Sequence, residues 1–249
     1  MTIHSGMLPK RQNLIMTKTV HISDSVVLHL ADCRDILTTM PDGSVKSVVT
    51  DPPYGTQELT GGYGRKQLYN TGDGYGRTIE NDEDLTMITD AYPELRRIVG
   101  VGWMTVFFSC RIMPDFIDAT SRDDWYGELI WNKYQPGLGF HIRYSHESIG
   151  VFRIGEPERP KDPILSVIGC HQLSKIHPHQ KPVPLLKRIV EWVSSPGEVI
   201  LDPFMGIGST GVACAETGRS FVGIEIDENY FDIACQRIDD ALKQPRLFA

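Results

Sequence analysis

Residues 199–226 restrict the fold more tightly than any other part of the chain. The apolar run 199–201 predicts a short buried strand, and a glycine-rich turn follows it. Residues 209–217 predict a helix that ends at Gly218, and residues 220–226 predict the next strand. A strand, a turn, a helix and a strand in this order are typical of a parallel sheet covered by helices.

The rest of the chain repeats this alternation of strands and helices. We predict further strands over residues 26–31, 45–50, 103–109, 128–131 and 148–153. We predict further helices over residues 34–40, 85–99 with a kink at Pro93, 113–120, 184–194 and, after a cap at Asp227, to about residue 242. The chain is therefore expected to form an α/β fold with a mainly parallel sheet, in a single domain over residues 21–249.

Composition and cysteine spacing exclude several classes of protein. The 249 residues are 41% hydrophobic, too many for a disordered chain, and contain no apolar run long enough to span a membrane. Residues 1–20 lack the apolar core of a signal peptide. The five cysteines form no CxxC pair, which argues against a disulfide framework and a zinc finger. We therefore expect a cytoplasmic globular protein with no membrane partner and no metal site.

Charge is distributed unevenly along the chain. The net charge is −7, yet residues 131–190 carry nine lysines and arginines against four acids, a net charge of +5 for this segment. A basic segment on an acidic protein can bind phosphates in one place, although an ordinary solvated surface has the same composition. Residues 55–82 hold seven glycines among tyrosines, lysines and arginines. That composition suits either a flap that closes on a polyanion or a plain mobile loop.

The turn after residue 201 indicates a nucleoside site. Residues 206–211 match the GxGxxG pattern, and Glu225 ends the next strand 19 residues after Gly206, where a carboxylate can hold a ribose. A dinucleotide would place its pyrophosphate at the start of the following helix, and the charge of Asp202 opposes this. S-adenosylmethionine instead carries a sulfonium and an ammonium, which Asp202 attracts. The turn therefore favours S-adenosylmethionine over NAD. An NAD-dependent oxidoreductase and a simple turn role for Asp202 remain as alternatives.

The motif Asp51-Pro52-Pro53-Tyr54 follows a predicted strand and suits the chemistry of an exocyclic amine. Such a nitrogen is a poor nucleophile because its lone pair is delocalised into the ring. The Asp51 carboxylate and the Pro52 carbonyl can accept hydrogen bonds from the NH₂ group and orient its lone pair. Tyr54 offers a face on which a flipped base can stack. The alternatives are a Pro-Pro turn that only ends a strand, an RNA or protein amine as the substrate, and a catalytically silent nucleic-acid-binding module.

These motifs occur in an order that resembles the beta class of DNA amino-methyltransferases, which act on adenine N6 or cytosine N4. The resemblance covers residues 26–238. It is carried by Ala31-Asp32-Cys33, Val49-Thr50-Asp51-Pro52-Pro53-Tyr54-Gly55, Ile130-Trp131-Asn132-Lys133, Pro136-Gly137-Leu138-Gly139, Arg143, His146-Glu147, His177-Pro178-His179-Gln180-Lys181-Pro182, Leu201-Asp202-Pro203-Phe204-Met205-Gly206-Ile207-Gly208-Ser209-Thr210 and Gly223-Ile224-Glu225. It implies a Rossmann-like S-adenosylmethionine-dependent methyltransferase fold with permuted motif order, in which the catalytic half is N-terminal and the cofactor half C-terminal. The chain departs from the family at the usual target-recognition region, where about residues 154–178 form only a short target-recognition insertion with little room for an independent domain.

The resemblance implies a role for each matched residue. The target base would be held by Asp51, Pro52, Pro53 and Tyr54. The cofactor would be bound by Asp32, Cys33, Asp51, Lys181, Asp202, Pro203, Phe204, Gly206, Gly208, Ser209, Thr210 and Glu225. Within that set Lys181 would lie by the methionine part, Glu225 by the ribose, and Asp32 by the adenine. We expect DNA contacts from Arg65, Lys66, Arg77, Lys133 and Arg143.

The expected activity is site-specific transfer of a methyl group from S-adenosylmethionine to the N6 amine of a flipped adenine in DNA. In the family that the chain resembles, aspartate at the first position of the Asp51 motif usually accompanies adenine, and serine usually accompanies cytosine N4. An N4-cytosine DNA methyltransferase is therefore the first alternative. Double-stranded DNA is the expected partner, with restriction–modification as one setting. The sequence leaves the oligomeric state open, with a homodimer as one option.

Overall fold

One nine-stranded sheet organises the part of the chain that the computed structural model describes, namely residues 17–53, 85–135, 143–160, 162–171 and 180–244. Its strands are β1 (Lys18–Ser23), β2 (Val26–Leu30), β3 (Ser47–Thr50), β4 (Gly102–Phe108), β5 (Trp125–Asn132), β6 (His146–Ile154), β7 (Val167–Gly169), β8 (Val199–Asp202) and β9 (Ser220–Glu225). They lie in the order β1-β2-β9-β8-β3-β4-β6-β5-β7. The run from β2 to β4 is parallel throughout, as is the β5–β7 pair. The pairs β1–β2, β4–β6 and β5–β6 are antiparallel, so the prediction of a mainly parallel sheet is confirmed.

Helices cover both faces of this sheet. They are α1 (Cys33–Leu37), α2 (Thr86–Val99), α3 (Met113–Ala119), α4 (Val183–Val193), α5 (Ser209–Thr217) and α6 (Glu228–Lys243). Buried side chains of α4, α5 and α6 form one apolar core, and those of α1, α2 and α3 form the other. Phe107 and Phe108 of β4 are both fully buried and belong to different cores, because successive side chains of a strand point to opposite faces.

Local sequence explains the elements that frame the site. All four residues of β3 are buried, and the hydroxyl of Ser47 donates a 2.8 Å hydrogen bond to the carbonyl of Val193 at the end of α4. α5 ends at Gly218, whose φ of 75° lies in the left-handed region. The Asp227 side chain accepts hydrogen bonds from the backbone N–H groups of Asn229 and Tyr230 and so caps α6. These caps confirm the predicted end of α5 at Gly218 and the predicted start of α6 at Asp227.

The structure differs from the sequence predictions at β1 and at β7. β1 begins at Lys18, so the predicted boundary at residue 21 falls inside a strand. β7 lies within residues 154–178, where no strand was predicted, because it is only three residues long and pairs through its backbone with β5. α2 contains Pro93 and agrees with the helix predicted over residues 85–99, and the kink at that residue stays a prediction. Within the described ranges, none of the helices combines the length and the apolar character needed to cross a membrane.

Candidate active site

The site is built where the strand order reverses, between β8 and β3. From β8 the chain continues through α5 to β9 on one side, whereas β3 is followed on its other side by β4. In open α/β sheets ligands bind in the crevice at the carboxyl ends of two such strands. Asp202 is the last residue of β8 and Asp51 comes directly after β3, so both carboxylates belong to this edge.

Asp202 is buried inside a set of hydrogen-bond donors. The Thr50 hydroxyl donates to Asp202 Oδ1 at 2.7 Å, and the backbone N–H of Phe204 donates to the same oxygen at 3.1 Å. The side chain of Thr210, in the first turn of α5, also donates to this carboxylate. Burial nevertheless raises the pKa of Asp202 to about 6, because water no longer solvates the anion. A cation placed beside this carboxylate would stabilise its charged form.

Two glycines of the turn, Gly206 and Gly208, differ in the space around them. Gly206 has a φ of 52°, and a Cβ added there would meet no atom within 4 Å. Gly208 has a φ of 77°, and a Cβ there would lie 2.9 Å from the Cβ of Ala234 in α6. Gly208 is therefore required for helix packing, whereas Gly206 leaves an open face for a ligand.

Glu225 ties the turn to the end of the next strand. Its Oε2 accepts a 2.8 Å hydrogen bond from the N–H of Gly206, and its Oε1 accepts from the N–H groups of Ile226 and Asp227 at 2.9 and 2.8 Å. Burial raises the pKa of Glu225 to about 7, against the lowering effect of these donors. The carboxylate is thus held beside Gly206.

Asp32 and Cys33 follow β2, the strand that pairs with β9, at the end where Glu225 lies. The N–H of Ala31 donates to the carbonyl of Glu225 at 2.9 Å. The Asp32 side chain caps α1 and pairs with the Arg34 guanidinium at 2.6 Å, and its pKa is lowered chiefly by that hydrogen bond. Cys33 is only 4% exposed, and burial raises the pKa of its thiol to about 12. Cys33 therefore contributes a packed, neutral side chain.

Asp51 belongs to a chain of four charged side chains of alternating sign, which we call the charge network. The Lys181 ammonium forms an ion pair with Asp51 Oδ2 and lies 3.3 Å from Glu147 Oε2. The Lys133 ammonium forms an ion pair with Glu147 Oε1. The network comprises Asp51, Lys181, Glu147 and Lys133. It brings Lys133, predicted as a DNA contact, to the same acid that Lys181 contacts.

The structure brings together most of the predicted site residues. Pro52 is buried and Pro53 half-buried directly after Asp51, while Pro203 and Phe204 follow Asp202 at the same edge. Ser209 and Thr210 are buried in the first turn of α5, and Arg143 is exposed just before β6. The predicted residues Tyr54, Arg65, Lys66 and Arg77 lie outside the described residues.

Sequence reasoning missed two residues of this site. Thr50 was assigned to a strand and quoted in a motif but given no role, although a polar residue at the end of an apolar run signals a possible partner for a neighbouring acid. Glu147 was quoted in a motif but given no role. Its two contacts come from residues 14 positions before it, at Lys133, and well after it, at Lys181, so no local spacing reveals them.

The residues present fit S-adenosylmethionine. The buried acid Asp202 suits a positively charged group, the open face of Gly206 gives backbone access, and Glu225 presents a fixed acceptor one strand away. Thr210, in the first turn of α5, hydrogen-bonds to Asp202, so an acid lies at the helix start, where a dinucleotide needs its pyrophosphate.

Comparison with known proteins finds methylases. A family model described as DNA methylase matches residues 143–236. YubD of Escherichia coli (strain K12), a provisionally named methylase, is 30% identical over 211 residues, which cover 83% of this chain and 87% of YubD. The type II methyltransferase M.HinfI of Haemophilus influenzae is 25% identical over 246 residues, which cover 86% of this chain and 68% of that protein.

Solved structures share the fold. The M1.HpyAVI–S-adenosylmethionine complex has a TM-score of 0.62 at 23% identity, covering 85% of this chain and 99% of that one. TTHA0409 of Thermus thermophilus, complexed with S-adenosylmethionine, has a TM-score of 0.60 at 25% identity, covering 87% and 95%. The cytosine-N4-specific PvuII DNA methyltransferase has a TM-score of 0.65 at 14% identity, covering 91% and 89%.

Proposed function

Because the chain belongs to the N6/N4 family of DNA methylases, we propose that it methylates the N6 amine of an adenine flipped out of double-stranded DNA. S-adenosylmethionine is the methyl donor of this family, so the NAD-dependent alternative has no support. The observation that carries the proposal is the 2.7 Å hydrogen bond from Thr50 to Asp202. Asp202 is the acid expected at the methyl donor, and Asp51 is the acid expected at the target amine. The hydrogen bond holds Asp202 to Thr50, the residue directly before Asp51.

Each residue at this edge has a defined task in direct transfer. S-adenosylmethionine supplies an electrophilic methyl group on a sulfonium. Asp51 and the Pro52 carbonyl accept hydrogen bonds from the target NH₂, which orients the nitrogen lone pair towards that methyl group. Lys181 holds the Asp51 carboxylate through its ion pair. Tyr54 is proposed to stack on the flipped base.

The cysteines do not support a covalent intermediate on the enzyme. None of the five lies in the motif from Asp51 to Tyr54. All are free thiols, and burial raises the pKa of each, so none is activated as a thiolate. The amine nitrogen itself is therefore the nucleophile that we propose.

The aspartate at the first position of the motif favours adenine, which it usually accompanies in the family. Cytosine N4 is the second candidate, because the fold also matches the cytosine-N4-specific PvuII enzyme. The two bases present the same kind of exocyclic amine to Asp51. Their difference lies in the size of the ring that has to be held.

Transfer of labelled methyl from S-adenosylmethionine to duplex DNA, followed by nucleoside analysis, tests the proposal. We expect N6-methyladenine, and a loss of rate by orders of magnitude in Asp51→Ala. Asp118→Ala is the matched control, because this exposed acid of α3 pairs only with the exposed side chain of Arg122 among the ion pairs of the described residues, and its loss should leave transfer unchanged. N4-methylcytosine as the product would overturn the base assignment. Full activity in Asp51→Ala would overturn the mechanism, and methylation of RNA but not DNA would overturn the substrate.

A further inference from the structure

The charge network joins four segments of the chain at one edge of the sheet. Asp51 follows β3, Lys133 follows β5, Glu147 lies at the start of β6, and Lys181 precedes α4. The signs alternate along it, so its formal charges cancel. The ammonium of Lys181 lies 5.0 Å from the ring centre of Phe107, and that of Lys133 lies 4.8 Å from the ring of Trp131. Aromatic faces therefore support both cations from the sheet side.

Lys181 is the most enclosed member and depends on both acids. Its side chain is 9% exposed, against 25% for Asp51 and 23% for Glu147. A buried ammonium is costly unless anionic oxygens replace the water that it loses. With Glu147 present, the Lys181 ammonium interacts with two carboxylates instead of one. Asp51 then keeps more of its negative charge for hydrogen bonds from a target amine than it would in an exclusive ion pair.

We propose that Glu147 and Lys133 are positioning residues, which act through Lys181 to set the orientation and charge of Asp51. The inference rests on the proposed function, because Asp51 is the group that would touch the target amine. Lys133 holds one oxygen of Glu147, and the other oxygen faces Lys181. Loss of either positioning residue removes one of the supports that keep Lys181 in place against Asp51. Lys133 is thereby assigned to the active site instead of to a DNA phosphate.

The ionisation of the network agrees with this role. Burial lowers the pKa of Lys181, but the carboxylates of Asp51 and Glu147 outweigh it and hold that pKa above its ordinary value. Burial raises the pKa of Glu147, but the two lysines outweigh it and hold that pKa below its ordinary value. Asp202 also interacts electrostatically with Asp51. Lys181 therefore stays an ammonium at neutral pH and does not serve as a base.

Glu147→Gln is the first test, because it keeps the shape of the side chain and removes its charge. We expect kcat to fall by about 10²-fold, the size of a positioning loss, while the KM for S-adenosylmethionine stays unchanged. The alkaline limb of the pH–rate profile should move to lower pH, because Lys181 loses one of the two anions that keep it protonated. Glu147→Asp keeps the charge and should keep the limb near its original position. Glu198→Gln, which removes an acid paired with Lys46 at the opposite edge of the sheet, should change none of these quantities.

Lys133→Met separates the positioning role from a DNA contact. Removing one phosphate contact flattens the plot of log affinity against log salt by about 0.9. Lys133→Met should leave that slope unchanged and lower kcat, whereas Arg143→Met, at an exposed residue of the same edge, should flatten it. A flattened slope with unchanged kcat in Lys133→Met would assign Lys133 to a phosphate and overturn its place in the proposal.

A readout that needs no catalysis separates this inference from the proposed function. Side-chain NMR of lysine-labelled protein follows the titration of Lys181, and we expect its pKa to fall in Glu147→Gln. If the wild-type protein methylates DNA while Glu147→Gln keeps its kcat, its alkaline limb and the Lys181 titration, the inference alone is wrong. If the wild-type protein leaves DNA unmethylated, the proposed function is wrong, and the NMR titration still decides whether Glu147 controls Lys181. Calorimetry with S-adenosylmethionine verifies that each variant is folded.

Discussion

At the scale of single residues, Thr50 connects the two acids of the site. It is 1% exposed, its hydroxyl donates to Asp202, and its backbone leads directly into Asp51. When a buried carboxylate loses a hydrogen-bond donor, no water replaces that donor, and the folded state is destabilised by the desolvation free energy of the unsatisfied oxygen. The position of Asp51 and the charge of Asp202 are therefore linked by one side chain.

Thr50→Val should destabilise the fold and weaken the cofactor site. The substitution keeps the shape of the side chain but removes the donor, so we expect a loss of about 1–3 kcal/mol in the free energy of unfolding. Denaturant unfolding measures this loss, and calorimetry measures the accompanying fall in affinity for S-adenosylmethionine. Thr50→Ser keeps the hydroxyl and is the control. Equal stability of Thr50→Val and the wild type would contradict the importance of this hydrogen bond.

Binding of S-adenosylmethionine should depend on pH through Asp202. Burial raises the pKa of Asp202 from an ordinary value of 3.8 to about 6, so the ligand-free fold loses stability as pH rises between these two values, and the loss is complete above the higher one. A bound cation favours the ionised carboxylate instead, so affinity should rise about tenfold per pH unit below pH 6 and level off above it. Asp202→Asn should bind more weakly and lose this part of the dependence. Calorimetry measures the affinity for S-adenosylmethionine at pH values below and above the pKa of Asp202. An affinity of the wild type that does not change with pH would contradict the prediction.

At the scale of elements, the packing of α5 depends on a helical glycine. A Cβ added at Gly211 would lie 2.4 Å from Ile238 Cδ1 of α6 and 2.7 Å from the Phe221 ring of β9. Both neighbours belong to the core, so neither side chain has solvent to move into. α5 can approach α6 and β9 this closely only without a side chain at this position.

Gly211→Ala should therefore destabilise the protein although alanine favours helices. We expect overpacking to cost about 1–3 kcal/mol, which exceeds the gain of about 1 kcal/mol in helix propensity. Gly127→Ala in β5 is the matched control, because a Cβ there meets no atom within 4 Å. Thermal unfolding of both variants tests this, and a melting temperature of Gly211→Ala at or above that of the wild type would count against it.

Elements with strong local signals could be predicted from the sequence, and elements defined by their partners could not. The bounds of α5 agree with the prediction because Gly218 ends the helix by its own backbone preference. Both β1 and β7 are edge strands held by backbone pairing, to β2 and β5 respectively. β1 was missed because its polarity is mixed, and β7 because it is only three residues long. The acids Asp51 and Asp202 were found from local motifs, whereas the contacts of Lys133 and Lys181 with Glu147 join distant segments and needed the fold.

At the scale of the whole molecule, the uneven charge predicts how DNA binding responds to salt. A protein with a net charge of −7 binds a polyanion only through local clusters of basic residues. Replacing Arg65, Lys66 and Arg77 together with alanine should weaken DNA binding and flatten the salt slope by about 0.9 for each phosphate that is no longer bound. Affinity for S-adenosylmethionine is the internal control and should not change. An unaltered salt slope in the triple variant would mean that the glycine-rich segment does not contact DNA.

The order of strands in the sheet also has a consequence for the nascent chain during its synthesis. β2 and β3 follow one another in sequence, yet β9 and β8 separate them in the sheet. The ribosome delivers those two central strands after the other seven, so until then the nascent sheet has a gap with two unpaired edges. Asp202 and Glu225 arrive on the strands that fill this gap. We therefore expect a chain interrupted before β8 to lack both acids that we propose for the methyl-donor site, and to be prone to aggregation through its unpaired strand edges.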